Sequence, residues 1–334
     1  MTLNLTLLTP GYILQVSDRR ITKEPSGQTY PLANKNVVFL ARDGLVSICY
    51  SGPAYLEHVP TDTWIACKSA GRDINPYVGG ESPGVFMSSV PKRPWPDIGQ
   101  LAELLRQECE ALFSRSSSNH GALQIVVAGW QRYNRGMRPL CWGIDNDADR
   151  RTFTAVNGLP RFWHYRKGYF YVTQVPDDPG WLSAVEMQRL VKLLRATAMS
   201  SNAALGMLIK AVRYVAANKT GVGPDCMCLF LPNPDIQPEV VVRYEPVTEG
   251  RAVVGDDKTR FELPAAFTPW FVGPQVHAPP AIIVGAGPAP FTLGDIRPFL
   301  QAPPVPPQPG GRRIHSAFST QRRPIDPSLR PSTR

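Results

Sequence analysis

Two tight turns near the start of the chain constrain its fold more than anything else in the sequence. Pro10-Gly11 separates the apolar runs 3–9 and 11–17, and Asp43-Gly44 separates 36–42 and 45–50. Both dipeptides suit hairpin turns, because proline presets φ and glycine accepts backbone angles that other residues avoid. In a tight antiparallel hairpin centred on Pro10-Gly11, facing residues have numbers summing to about 21. Thr2 then lies opposite Arg19, with Asp18 adjacent. A hairpin centred on Asp43-Gly44 has a sum of about 87 and sets Lys35 opposite Gly52 at its open end.

Beyond the hairpins, apolar periodicity predicts helices at 61–70 and 99–114, then strands near 122–129, 139–144, 151–156 and 168–174. A second helix pair, 182–197 and 202–217, precedes strands near 226–231 and 238–244. The order is strands, helix pair, strands, helix pair, strands, with no solenoid period.

Proline use divides the chain. Sixteen of 35 prolines lie at or beyond Pro264, so 246–302 is expected to be an irregular extension packed on or beside a domain of residues 1–245. The run from Pro303 to Gly311 and the Arg/Ser/Pro-rich end predict a disordered tail over 303–334. That end carries net +5 of the chain's +9. Nucleic-acid binding is therefore disfavoured except through the basic tail.

No stretch approaches 18 consecutive apolar residues, so a membrane partner is not expected. The first residues lack the marks of a signal peptide, so a cytoplasmic location is expected. The six cysteines form no CxxC pair, and neither they nor the five histidines have metal-ligand spacing. They are read as buried structural thiols, with no metal.

The chemistry concentrates at the open ends of the two hairpins. Periodicity does not determine whether those ends coincide. If they do, a terminal threonine, a carboxylate, a lysine and a glycine come together. A terminal Thr2, exposed by removal of Met1, has a hydroxyl nucleophile and an α-amine of pKa about 7.7–8 that can take the hydroxyl proton. Lys35 would keep that amine neutral and stabilise the alkoxide, while Asp18 would hold the lysine charged and oriented. The Gly52 amide would donate to a tetrahedral oxyanion. No cofactor is needed.

The segments Thr2…Ser17-Asp18-Arg19-Arg20-Ile21-Thr22, Asn34-Lys35 and Ser51-Gly52-Pro53-Ala54 resemble the proteasome β-subunit family, including the bacterial HslV-type peptidases. The resemblance covers roughly residues 2–245. It implies an α+β fold, the four-layer αββα sandwich of the N-terminal nucleophile hydrolases, here with a Pro-rich C-terminal extension. It also implies a threonine protease or amidohydrolase acting on a peptide or small amide, assembled as a homo-oligomer. Thr2 matches the catalytic threonine, Asp18 the aspartate sixteen residues on, and Lys35 the lysine, displaced by one residue. Gly52 matches the oxyanion glycine. The family's Asp-x-x-Ser-Gly element corresponds to Ala217-Asn218-Lys219-Thr220-Gly221, where Thr220 supplies the hydroxyl and Ala217 replaces the aspartate. Ala217 favours a rival reading, an inactive scaffold or binding protein with the same fold. In a second rival the basic Pro-rich tail acts as an adaptor. Substrate specificity, ring stoichiometry and any ATPase partner leave no mark in the sequence.

Overall fold

Alternation along the first strands sets the layers. In the hairpin Asn4–Leu8/Tyr12–Asp18, Leu5, Leu7, Leu14 and Val16 face one core, while Leu8 and Ile13 face another. The second hairpin, Asn36–Ala41/Gly44–Ser51, divides in the same way: Val37, Phe39, Val46 and Ile48 on one side, Val38, Leu40, Leu45 and Cys49 on the other. Strands apolar on both faces must be covered on both. The computed structural model describes residues 3–23, 28–30, 34–57, 59–72, 74–76, 85–87, 93–115, 122–133, 136–146, 152–157, 170–175, 181–196, 200–219, 221–237, 239–245, 251–254, 261–274, 277–284 and 290–295. The tail expected to be disordered over 303–334 lies outside them.

The first hairpin is the heart of a six-stranded sheet with Tyr171–Val175 beside Asn4–Leu8. On its other side come Cys226–Pro232, Glu239–Tyr244 and Phe291–Asp295. The second hairpin joins Gln124–Tyr133, Gly136–Asn146 and Phe153–Asn157 on one side, and Trp270–Val272 with His277–Ala278 on the other, in a seven-stranded sheet. The two sheets pack face to face over a core that includes Leu8, Ile13, Leu40, Val126, Trp130, Met227 and Leu229. Helices α1 (Thr61–Ser69) and α2 (Ile98–Arg115) cover the outer face of the seven-stranded sheet. Helices α3 (Ala184–Ala196) and α4 (Ser201–Asn218) cover the outer face of the other. The chain is thus α+β, with two sheets flanked by helices. No described helix is long and apolar enough to cross a membrane.

Register follows the turns. The first hairpin pairs Asn4 with Ser17 and Leu8 with Ile13, the alignment expected of a Pro10-Gly11 loop. Thr9 closes that loop, its hydroxyl donating to the Tyr12 carbonyl at 2.6 Å and accepting from the Tyr12 amide at 2.9 Å. The second hairpin departs from expectation by two residues. Ala41 pairs with Gly44, so the loop is Arg42-Asp43, and Asn36 faces Cys49. Asp43 serves instead as an anchor, accepting from the Ile98 amide at the start of α2 and from Gln131 Nε2. Gly44 is required by proximity: a Cβ there would stand 1.9 Å from the Trp130 carbonyl oxygen.

Candidate functional site

The open ends of the two hairpins meet. Asn36 Nδ2 donates to Ser17 Oγ at 2.9 Å, joining the seven-stranded sheet to the six-stranded one. One residue further along each strand, Lys35 Nζ lies 3.1 Å from Asp18 Oδ2, with both side chains fully buried. This is the juxtaposition that periodicity could not determine.

Asp18 is saturated with donors. Its Oδ1 accepts from the Leu3 amide at 2.8 Å. Its Oδ2 accepts from the amides of Arg20 at 3.1 Å and Gly223 at 3.2 Å, besides the lysine. Such a set compensates a buried carboxylate for the water it has lost. Lys35 Nζ also donates to the Arg20 carbonyl. An ammonium has three protons, and these two bonds are the described ones. Burial pulls the Lys35 pKa below the ordinary lysine value, while the charge and hydrogen bond of Asp18 act in the opposite sense.

A second buried acid stands close by. Asp62, in the first turn of α1, accepts from Asn34 Nδ2 at 3.0 Å, and that same nitrogen donates to the Asn36 carbonyl. Burial raises the Asp62 pKa to about 6 against the lowering effect of these bonds. On the other flank, the Arg19 guanidinium lies fully buried over the Tyr244 ring, 5.3 Å from its centroid. Burial lowers the Arg19 pKa, and the neighbouring Tyr244 and Asp225 oppose that shift. The Arg19 amide donates to the Asp225 carbonyl.

Gly52 follows the strand that ends at Ser51, with φ of +142°, in the region glycine favours. A Cβ there would stand 2.5 Å from the Ala122 carbonyl oxygen. Helix α1 does not follow at once. A short ladder, Tyr55–Leu56 with Val59–Pro60, intervenes, and the Thr61 hydroxyl donates to the Pro53 carbonyl at 2.7 Å to hold the loop. With Asn36 opposite Cys49, Gly52 is not the residue facing Lys35 that the expected register implied.

Thr2 and Thr220 lie outside the described residues. Ala217 is exposed near the end of α4. Asn218 is exposed as well, and its amide donates to the Tyr214 carbonyl of its own helix. Asp225, by contrast, is buried at the strand end beside Arg19. Sequence reasoning missed Asn36, Ser17, Asp62 and Gly223. The available signal for Gly223 was a glycine just before a proline and a strand, where a Cβ would crowd Arg20 Cβ at 2.9 Å. The six cysteines are all buried and form no disulfide, and the described residues include no cluster of metal-ligating side chains.

No family model matches the chain, and no curated protein does. Among solved structures, it is similar to the Anbu (Gly-1) mutant from Hyphomicrobium sp. strain MC1. That match has a TM-score of 0.43 and 11% identity, covering 70% of this chain and 82% of that one. It is also similar to Anbu, an ancestral beta-subunit, from Yersinia bercovieri, with a TM-score of 0.43, 10% identity and the same coverage. At that level of similarity neither assigns a role to any residue here.

Proposed function

We propose that this chain is a threonine-type N-terminal nucleophile amidohydrolase acting on peptides, with Thr2 as nucleophile once Met1 is removed. The observation that carries the reading is the buried Asp18–Lys35 pair, whose carboxylate also accepts the Leu3 amide. The Leu3 nitrogen is bonded to the Thr2 carbonyl carbon, so the pair is tied to the residue that would react.

In this mechanism the Thr2 α-amine takes the hydroxyl proton as Oγ1 attacks the substrate carbonyl, a base effect of typically ~10²–10⁴. The oxyanion accepts from the Gly52 amide, a donor of a kind that contributes ~10²–10³. Collapse expels the leaving amine, which takes the proton back from the α-ammonium. Water, activated by the same amine, then hydrolyses the threonine ester. Lys35 disfavours a charged α-ammonium and stabilises the alkoxide, using the donor its described bonds leave over. Asp18 holds the lysine in place, and Thr220 supports the amine.

The test is the intact mass of the protein before and after a β-lactone or epoxyketone probe. Loss of Met1 and one adduct, absent in Thr2→Ala, are expected. Retained Met1 blocks the amine and rules the mechanism out for that preparation. A second reading, a scaffold that keeps the fold without catalysis, is favoured by Ala217 in place of an acid. A free Thr2 that never labels supports it. Native mass spectrometry tests the homo-oligomer that the family resemblance implies, and a monomer at micromolar concentration would count against it.

A further inference from the structure

The chain past residue 260 returns to the site from both sides. Trp270–Val272 runs parallel to Asn36–Ala41, pairing Trp270 with Val37, two residues from Lys35. Trp270 and Val272 enter the core under α1 and α2, while Ala266 and Phe271 enter the core between the sheets. Two hydrogen bonds fix the segment at the site end. Tyr244 donates its hydroxyl to the Phe267 carbonyl at 2.7 Å. The Trp270 indole donates to Thr63 Oγ1 at 3.2 Å, in a buried position.

Each bond leads to one member of the ion pair. The Tyr244 ring lies beneath Arg19, the residue after Asp18. Thr63 follows Asp62, which holds Asn34, the residue before Lys35. Within the segment, Thr268 is fastened by two bonds to Ala281, so it is a formed element of its own. We infer that Phe267–Trp270 is a positioning element of the candidate site, with Tyr244 and Trp270 as positioning residues that hold Asp18 and Lys35 in register across the two sheets. The C-terminal extension then belongs to the working site rather than being an accessory to it. Only the effect on catalysis rests on the hydrolase reading; the positioning itself does not.

The experiment uses the full chain and two conservative variants. Tyr244→Phe removes one hydroxyl and keeps the ring under Arg19, and Trp270→Phe removes one indole donor and keeps an aromatic ring. Trp130→Phe is the control. It loses a comparable buried indole bond between the sheets, to the Leu231 carbonyl, near the closed end of the first hairpin. Hydrogen exchange is followed at the Leu3, Arg20 and Gly223 amides, which all donate to Asp18. The Tyr244 and Trp270 variants are expected to accelerate exchange there about tenfold, with no such change in the control. No acceleration, or equal acceleration in Trp130→Phe, overturns the inference. Where the wild type labels with the probe, the same two variants are expected to slow labelling about tenfold, and unchanged labelling also overturns it. A wild type that never labels counts against the hydrolase reading alone, since exchange still decides the positioning role.

Discussion

Replacing Asp18 by asparagine keeps the side chain's shape and exchanges one oxygen for an NH2 group. That group faces a donor whichever way it turns. On one side is the Leu3 amide; on the other are the Arg20 and Gly223 amides and the Lys35 ammonium. The less costly orientation opposes Leu3 and leaves the fully buried Lys35 with neutral acceptors only. Removing one partner of a buried ion pair costs about 3–5 kcal/mol, and opposing a buried donor adds about 1–3. Asp18→Asn is therefore expected to lose about 4 kcal/mol or more. Lys35→Met is expected to lose less, about 3 kcal/mol, because the carboxylate keeps three backbone donors. The double variant buries no charge, so its cost should fall short of the sum by about 2 kcal/mol. Urea unfolding at neutral pH measures all three, provided the denaturant dependence stays constant. Single costs that add within about 0.5 kcal/mol refute a coupled buried pair, as does a lysine variant costlier than the aspartate one.

Three further outcomes are expected. Asp62 has a folded pKa raised to about 6, so the stability it contributes is complete below its unfolded value and is lost as pH rises through 6. Relative to Asp62→Asn, the wild type should lose about 2 kcal/mol between pH 4 and pH 7.5, and a pH-independent difference refutes this. Gly52→Ala places a Cβ against the Ala122 carbonyl at a φ suited to glycine. It should cost about 2 kcal/mol or more in thermal unfolding, and a loss under about 0.5 contradicts the geometry. All six thiols are buried, and burial raises the pKa of Cys49, Cys109, Cys141, Cys226 and Cys228. Ellman's reagent should therefore react with none in the native protein and with six after denaturation; a fast-reacting native thiol would contradict the packing.

What could be read in the sequence was local. The apolar alternation around Pro10-Gly11 carried the first hairpin's register, because one small loop and two apolar faces leave a single alignment. Around Asp43-Gly44 the same reasoning slipped by two residues. The glycine answers to the Trp130 backbone on a neighbouring strand, and the aspartate to the start of α2. Neither demand is visible within a short window. Helix α2 was legible from its apolar stripe, with Leu101, Ala102, Leu105 and Cys109 turned inward. The meeting of Asp18 with Lys35 depends on the packing of one sheet against the other, as does the bond between Ser17 and Asn36. Gly223, Asp62 and Trp270 enter the neighbourhood from distant parts of the chain, and no periodicity announces a contact of that range. Ala217 was conspicuous in the sequence, yet it faces solvent, and the buried acid at that end is Asp225.

The pairing of Trp270–Val272 with Asn36–Ala41 also bears on how the chain is made. The two partners are separated by roughly 230 residues, which at ribosomal rates of about 5–20 residues per second amounts to some ten to fifty seconds. Throughout that interval the strand Asn36–Ala41, apolar over Val37–Ala41, has emerged without the segment that later covers its edge. An uncovered edge of this composition invites pairing with other chains. Nascent or truncated polypeptides ending before Trp270 are therefore the species most in need of a chaperone, and completion of synthesis is itself the step that removes the hazard.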